Sequence, residues 1–219
     1  MSIRKISFVA NEYYHLYNRG NSKQKIFHDR EDYSRFMSLL YACNSKNNFK
    51  VSNLNKNETP YDFERGENII SIGAYCLMPN HFHILITEID NGGISKFMQK
   101  LSTAYSMYYN KKYKRIGGLF EGKFKSQHAN NDRYLKYLFS YIHLNPVKII
   151  NNKWKENGIE NKSEVLEYLK HYEYSSYLDY LEIHRIQDII LNKKSFPNYF
   201  STRQVFLKEM FTWLSYKFN

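Results

Sequence analysis

The sequence predicts an α+β fold in which helices pack on a mainly antiparallel sheet, followed by a C-terminal helical extension. Short β-prone runs alternate with stretches whose apolar residues recur at helical spacing. Turn-forming residues separate the runs, and the elements follow the order strand, helix, two strands, helix, strand, helix. This order is typical of a sandwich, and we expect the helices to cover one face of the sheet.

In the first half of the chain, residues 13–18 predict a strand and residues 19–22 a turn-rich loop. A helix is predicted from Asp29 onward, because the apolar residues after it recur at helical spacing: Tyr33, Phe36, Met37, Leu40 and Tyr41. The polar stretch 44–68 predicts a surface insertion or a long hairpin with little core of its own.

Two neighbouring strands are predicted next, over residues 69–77 and 81–87, with the turn Met78-Pro79-Asn80 between them. Ser95 is expected to cap a second helix, and residues 119–128 predict a further strand. A third helix should begin at Asn131 or Asp132 and end near Pro146. The segment 181–219 predicts a last amphipathic helix that docks on the core or on a partner. Its apolar residues are Phe206, Met210, Phe211, Trp213 and Leu214.

Length and composition narrow the classes of protein. A chain of 219 residues can bury one core with an appendage, and we divide it into a main domain, 1–180, and an extension, 181–219. Lys and Arg outnumber Asp and Glu by 32 to 21, which favours a polyanionic partner such as nucleic acid. The two isolated cysteines and the lack of a membrane-length apolar run predict a soluble, cytoplasmic protein.

His81 and His83 form the most informative pair in the sequence. Residues two apart on a strand point to the same face, so both imidazoles can bind one cation. The alternative is that they are two polar residues on the solvent side of an amphipathic strand. A metal site would need a third ligand from elsewhere in the chain.

Tyr141 and Asn145 lie four residues apart in the predicted third helix. That spacing places a phenol and an amide oxygen on one helix face, where both can approach the same ion and the same phosphate. The alternative is that Asn145 caps the helix and Tyr141 packs in the core.

These blocks resemble the REP-associated tyrosine transposases, a branch of the HUH single-strand DNA transposases and nickases. The similarity covers about residues 13–180 and follows the family's order: Tyr17-Asn18-Arg19-Gly20-Asn21, Tyr75 to His83, Gly122-Lys123-Phe124-Lys125-Ser126, Tyr141 to Lys148, and Tyr174-Ser175-Ser176-Tyr177. The resemblance implies that Tyr141 attacks DNA to leave a 5'-phosphotyrosine. It further implies that His81, His83 and Asn145 hold a divalent cation, for which Mg2+ or Mn2+ suits imidazole and amide ligands.

Single-stranded or hairpin DNA is the partner that the resemblance implies, bound by a monomer or a homodimer. The candidate DNA-contacting residues are Arg19, Asn21, Lys123, Phe124, Lys125 and Arg133. The sequence departs from the family where Lys123 replaces a common Arg and where Phe120 and Glu121 replace a common Trp and Gln. A carboxylate at position 121 is expected to alter DNA affinity or sequence preference.

Three functions therefore compete. The first is a metal-dependent single-strand DNA endonuclease and strand transferase. The second is a non-catalytic binder of structured single-stranded DNA or RNA, and the third is a metal-dependent nuclease that uses activated water. Covalent attachment of the protein to DNA would select the first of them.

Overall fold

The computed structural model describes residues 8–215 and shows a four-stranded antiparallel sheet with the strand order β2-β3-β1-β4. The strands are β1 (Tyr13–Arg19), β2 (Ile70–Met78), β3 (His81–Glu88) and β4 (Lys125–His128). The main helices are α1 (Arg30–Ala42), α2 (Gly93–Lys112) and α3 (Asp132–His143). Shorter helices and a last long one complete the chain: α4 (Val147–Ile150), α5 (Trp154–Asn157), α6 (Lys162–His171), α7 (Tyr177–Tyr180) and α8 (Arg203–Ser215).

The α+β prediction is confirmed, but the expectation that helices cover one face of the sheet is wrong. Helices α1 and α2 pack on one face, where Tyr75, Leu77 and Phe82 point. Helices α3, α6 and α8 pack on the other face, against Ala74 and Cys76 of β2. Strand β2 is buried along its whole length, and a strand that is apolar on both sides needs cover on both sides.

Several predicted element boundaries also change. Helix α2 begins at Gly93 after a left-handed Gly92, two residues before the predicted cap at Ser95. Of the predicted strand 119–128, only Lys125–His128 is a strand, and Phe120 forms an isolated bridge with Gly20. The polar stretch 44–68 contains two short 3-10 turns, Val51–Asn53 and Pro60–Asp62, in place of a hairpin.

The outer edge of β2 is covered by chain that follows the third helix. The amide of Leu77 donates to the carbonyl of Tyr174, and the amide of Asn192 donates to the carbonyl of Ile72, both at 2.9 Å. The Tyr180 hydroxyl donates to the carbonyl of Gly73 at 2.8 Å. A Cβ at Gly73 would lie 2.9 Å from the ring of Phe196, so only glycine admits that ring.

Residues beyond 180 therefore pack on the sheet and on α3. Phe206, Met210 and Leu214 of α8 are buried in the same apolar cluster as Leu138 and Phe139 of α3. Within residues 8–215, no helix combines the length and the apolar character that crossing a membrane requires.

Candidate functional site

The site is built at the start of β3, on the face of the sheet that α3 covers. His81 pairs with Arg19 and His83 pairs with Tyr17 across the β1–β3 ladder. Their alternation with Phe82, which faces the other core, places both imidazoles on one face, as the spacing predicts. The two rings lie 5.0 Å apart, at nearly right angles.

The two histidines are less exposed than a surface pair would be. His83 is 6% exposed, so the alternative of a polar residue on the solvent side of the strand is wrong for this histidine. Burial lowers the pKa of His83 well below its usual value. Burial, helped by the charges of Lys148 and Arg19, lowers the pKa of His81 to about 4. Both rings are therefore neutral near pH 7, which leaves each with one nitrogen lone pair.

Helix α3 brings Tyr141 to the same place. Asn131 caps this helix by accepting a hydrogen bond from the amide of Tyr134, which fixes its first turn. The Tyr141 ring lies 5.5 Å from the ring of His83 and 5.8 Å from that of His15, edge to face in both cases. Two cations flank it, with Lys155 Nζ 4.7 Å and Lys148 Nζ 5.6 Å from the ring centroid.

Asn145 lies just beyond α3, which ends at His143, so it is not the last-turn residue that the sequence predicted. Pro146 follows immediately and cannot continue the helix's hydrogen bonding. The Asn145 side chain still folds back, because its Nδ2 donates to the carbonyl of Tyr141 at 3.3 Å. Its Oδ1 is buried and accepts no hydrogen bond from the described residues.

The burial of the Asn145 oxygen without a donor favours a role as a metal ligand. A buried acceptor without a donor costs about 1–3 kcal/mol, unless a cation or a proton satisfies it. The Asn145 side chain also lies beside the imidazole of His81, and their interaction raises the pKa of that ring against the larger effect of burial. Among residues 8–215 no group of three or more His, Cys, Asp or Glu is arranged to hold a metal ion without a further kind of ligand.

Helix α3 carries two further tyrosines, Tyr134 and Tyr137, whose rings have other neighbours. The Tyr137 ring lies 5.1 Å from that of Trp213 in α8 and 5.8 Å from that of Tyr141. The Tyr134 ring stacks on Tyr137 at 6.0 Å. Of these three rings, within the described chain, only that of Tyr141 has contacts with histidine rings.

Two cavities adjoin the site and share Tyr17. One, of about 350 Å³, is lined by His81 and by polar or charged residues of the sheet end: Asn18, Arg19, Lys23, Asn80, Glu121 and Lys125. The other, of about 340 Å³, lies between the sheet and α3 and is mainly aromatic: His15, His83, Gln127, Tyr134, Tyr137, Leu138 and Tyr141.

Of the six candidate DNA-contacting residues, two line the first cavity. Arg19 and Lys125 line it, and Arg19 forms an ion pair with Glu121, in which Nη2 donates to Oε1 at 3.0 Å. Asn21 and Lys123 are exposed in the loops beside it, while Phe124 packs partly on the α1/α2 core and stacks on Phe8. Arg133 is exposed in the first turn of α3 and lines neither cavity.

Sequence reasoning missed His15, Tyr17, Lys148 and Lys155. His15 and Tyr17 repeat the two-residue alternation of His81 and His83 on the neighbouring strand, and this signal was available in the sequence. Lys148 and Lys155 follow Pro146 in the four-residue helices α4 and α5, which are too short for periodicity to indicate which side chains return to Tyr141.

Part of the chain resembles a known protein family. Residues 65–145 match the family model described as IS200-like transposase, a segment that contains His81, His83, Tyr141 and Asn145. The resemblance to these transposases is confirmed. No curated protein matches the chain.

Among solved structures, the chain is similar to a REP-associated tyrosine transposase bound to a REP hairpin. The match has a TM-score of 0.50 and 12% identity, and it covers 85% of this chain and 90% of the other. At that identity the match establishes only that this chain shares the α+β fold of the matched protein. The family match supports a DNA-cleaving, transposase-type enzyme, and roles for single residues come only from the geometry described above.

Proposed function

We propose that the protein is a metal-dependent single-strand DNA endonuclease and strand transferase that acts on hairpin-bearing DNA through a 5'-phosphotyrosine. One observation carries the proposal: the Tyr141 ring lies 5.5 Å from the ring of His83. The next turn of the chain presents the Asn145 oxygen, which accepts no hydrogen bond from residues 8–215. A nucleophile and a set of metal ligands thus meet inside one chain.

His81, His83 and Asn145 would hold the cation, and Mg2+ or Mn2+ fits two imidazoles and an amide with positions left for water and phosphate. When bound, such an ion supplies Lewis-acid polarisation of a phosphate oxygen. The neutral state of both buried imidazoles suits this role, because a protonated ring cannot bind a metal.

Tyr141 supplies the nucleophilic oxygen. Its Oη forms a bond to phosphorus as the bond from phosphorus to the 3'-oxygen breaks, and the phenol proton ends on the 3'-hydroxyl that leaves. The positive charges of Lys148 and Lys155 beside the ring stabilise negative charge as it develops on the phenol and the phosphate. The linkage conserves a phosphodiester-type bond, so attack by another 3'-hydroxyl can join a new strand.

The cavity lined by Arg19 and Lys125 gives single-stranded DNA a route to His81. The aromatic cavity beside Tyr141 offers rings on which an unpaired base can stack. The proposed DNA-binding surface extends from these cavities to four further residues: Asn21, Lys123, Phe124 and Arg133. The four active-site side chains come from one chain, so a monomer, or each subunit of a homodimer, carries a complete site. The two buried free cysteines, Cys43 and Cys76, suit a reducing cytoplasm.

The deciding experiment incubates the protein with labelled single-stranded DNA hairpins that carry flanks on both sides, in the presence of Mn2+. Denaturing electrophoresis should show a covalent protein–DNA band with wild type and with Tyr137→Phe, and none with Tyr141→Phe. Both variants delete one hydroxyl and keep the ring, so hairpin affinity and melting temperature should stay near wild type.

The other outcomes separate the alternatives. Cleavage without a covalent band would select a nuclease that uses water. Hairpin binding with neither cleavage nor adduct would select a non-catalytic binder. Adduct that maps to Tyr134 or Tyr137 would overturn the choice of nucleophile.

A further inference from the structure

We propose that Asn80 and His15 are positioning residues that fix the tautomers of the two metal-binding histidines, so that each presents Nε2 to the ion. The inference rests on the proposed function, because it assumes that His81 and His83 are ligands. It concerns two side chains whose hydrogen bonds are directed at the Nδ1 atoms of those rings.

Asn80 determines the tautomer of His81. The Asn80 Oδ1 lies 2.6 Å from His81 Nδ1, and an amide oxygen can only accept, so Nδ1 must carry the proton. The orientation of the amide is itself fixed, because its Nδ2 donates to the carbonyl of Lys23 at 3.2 Å. In a neutral ring with a protonated Nδ1, the lone pair is on Nε2.

The turn that carries Asn80 is held in place by backbone hydrogen bonds. The amide of Gly20 donates to the carbonyl of Asn80 at 2.9 Å, and the amides of Ile26 and Phe27 donate to the carbonyl of Pro79. The loop after β1 requires glycine at position 20, since a Cβ there would lie 2.3 Å from the carbonyl oxygen of Gln24. These backbone hydrogen bonds therefore hold the Asn80 side-chain amide in place beside His81.

His15 performs the same task for His83. Its Nε2 lies 2.8 Å from His83 Nδ1, and both residues are buried. One nitrogen must donate and the other accept, so two tautomer pairs are possible. Only the pair in which His83 donates from Nδ1 leaves His83 Nε2 free for a metal, and His15 then accepts at Nε2.

The neighbouring rings restrict the orientation of His15. Its ring lies 5.2 Å from that of Tyr17 and 5.8 Å from that of Tyr141. On the strand, His15 pairs with Leu85 of β3 and Gln127 of β4, so its position is set from both sides. A metal-binding imidazole whose other nitrogen is held in this way keeps its ring orientation before the ion arrives.

The first test reads the tautomers directly in the metal-free protein, by long-range 1H–15N NMR of the imidazole rings. We expect the Nδ1–H form for His81 and His83, and the loss of that preference for His81 in Asn80→Ala. An Nε2–H form of either metal-binding histidine in the wild-type protein would overturn the proposal for that histidine.

The second test measures Mn2+ affinity by electron paramagnetic resonance, in the absence of DNA. Removal of the acceptor in His15→Leu or Asn80→Ala should weaken binding by about 10- to 100-fold. His15→Gln and Asn80→Asp keep an acceptor oxygen and should remain within a few-fold of wild type. A merely structural role would lower the melting temperature of all four variants and leave the affinity of the folded proteins unchanged.

His81→Ala distinguishes this inference from the function on which it rests. If His81→Ala weakens Mn2+ binding while His15→Leu and Asn80→Ala do not, the metal site stands and the positioning roles are wrong. If His81→Ala also leaves Mn2+ binding at the wild-type level, the proposed metal site itself is wrong, and the positioning roles fail with it.

Discussion

Beside the α1/α2 face of the sheet, the buried carboxylate of Asp32 receives four hydrogen bonds, whereas on the α3 face the buried oxygen of Asn145 receives none from the described residues. The donors to Asp32 are the backbone of His28, Lys112 Nζ and the hydroxyls of Tyr108 and Tyr113, at 2.8–3.0 Å. On the α3 face, His83 and Asn145 are buried to a similar extent but have fewer hydrogen-bond partners among the described residues.

The difference shows what each face contributes. A fully satisfied polar network in a dry interior favours a single, well-ordered packing. An unsatisfied group costs free energy, and it persists where a ligand later satisfies it. We therefore expect changes on the α1/α2 side to alter stability with little effect on chemistry, and changes on the α3 side to do the reverse.

The largest expected effect is on stability, from Lys112→Met. This substitution leaves the carboxylate of Asp32, whose side chain is 0% exposed, without its cation. We expect a loss of about 3 kcal/mol in the free energy of unfolding, measured with urea. Covalent adduct formation per folded molecule should not change, and a loss of adduct at a temperature where the variant is folded would contradict the separation of the two faces.

The stability of Lys112→Met should also depend on pH in a way that tests the role of the Asp32 carboxylate. Burial alone would raise the pKa of Asp32, but its hydrogen bonds, with the His28 amide first and Lys112 next, hold the pKa below its usual value. A depressed folded pKa contributes stability above the unfolded value near ~4, and this contribution disappears as the pH falls through the folded pKa. The difference in stability between wild type and Lys112→Met should therefore shrink below about pH 4.

On the α3 face, Asn145→Leu should show the opposite behaviour. The substitution replaces an amide whose buried oxygen accepts no hydrogen bond within the described part of the chain, so we expect the free energy of unfolding to stay level or rise by up to about 1 kcal/mol. Mn2+ affinity should fall by about tenfold or more, the equivalent of about 1.4 kcal/mol. Calorimetry would measure both quantities, and a destabilised variant with unchanged Mn2+ affinity would show that the oxygen is structural.

A smaller effect on rate is expected from Lys155→Met. Burial lowers the pKa of Lys155, and its ammonium lies 4.7 Å from the Tyr141 ring. Loss of this charge should slow adduct formation by about tenfold, with Lys153→Met, in the exposed chain nearby, as the matched control. Equal rates for the two variants in single-turnover experiments would remove Lys155 from the reaction.

The smallest effect is expected from Glu121→Gln. The change releases Arg19 from its ion pair at the edge of the cavity beside His81. Hairpin affinity should rise a few-fold, and the slope of log affinity against log salt should steepen by about one unit, because one more cation can bind phosphate. Fluorescence anisotropy across a salt series would measure the slope, and an unchanged slope would show that Arg19 does not contact phosphate.

The sequence predicted the elements of this fold well where the periodicity was strong. The alternation in β3 placed His81 and His83 on one face, and the Asn131 cap located the start of α3. It failed where position depends on contacts between distant segments. No local pattern specifies that α3, α6 and α8 pack on the face opposite α1 and α2, and neither Lys155 nor His15 is adjacent in sequence to the groups it contacts.

The covered edge of β2 also affects how this chain behaves in a crowded solution. An uncovered strand edge presents a row of amides and carbonyls that a second chain can pair with, and such pairing can repeat from molecule to molecule. Here the outward groups at Ile72, Gly73, Tyr75 and Leu77 are already bonded to later parts of the same chain. A polypeptide that ends near residue 180 would lack Asn192 and Phe196 and would expose part of that row. The chain after α3 thus covers the edge at which strand pairing between molecules would begin, a consequence unconnected with DNA.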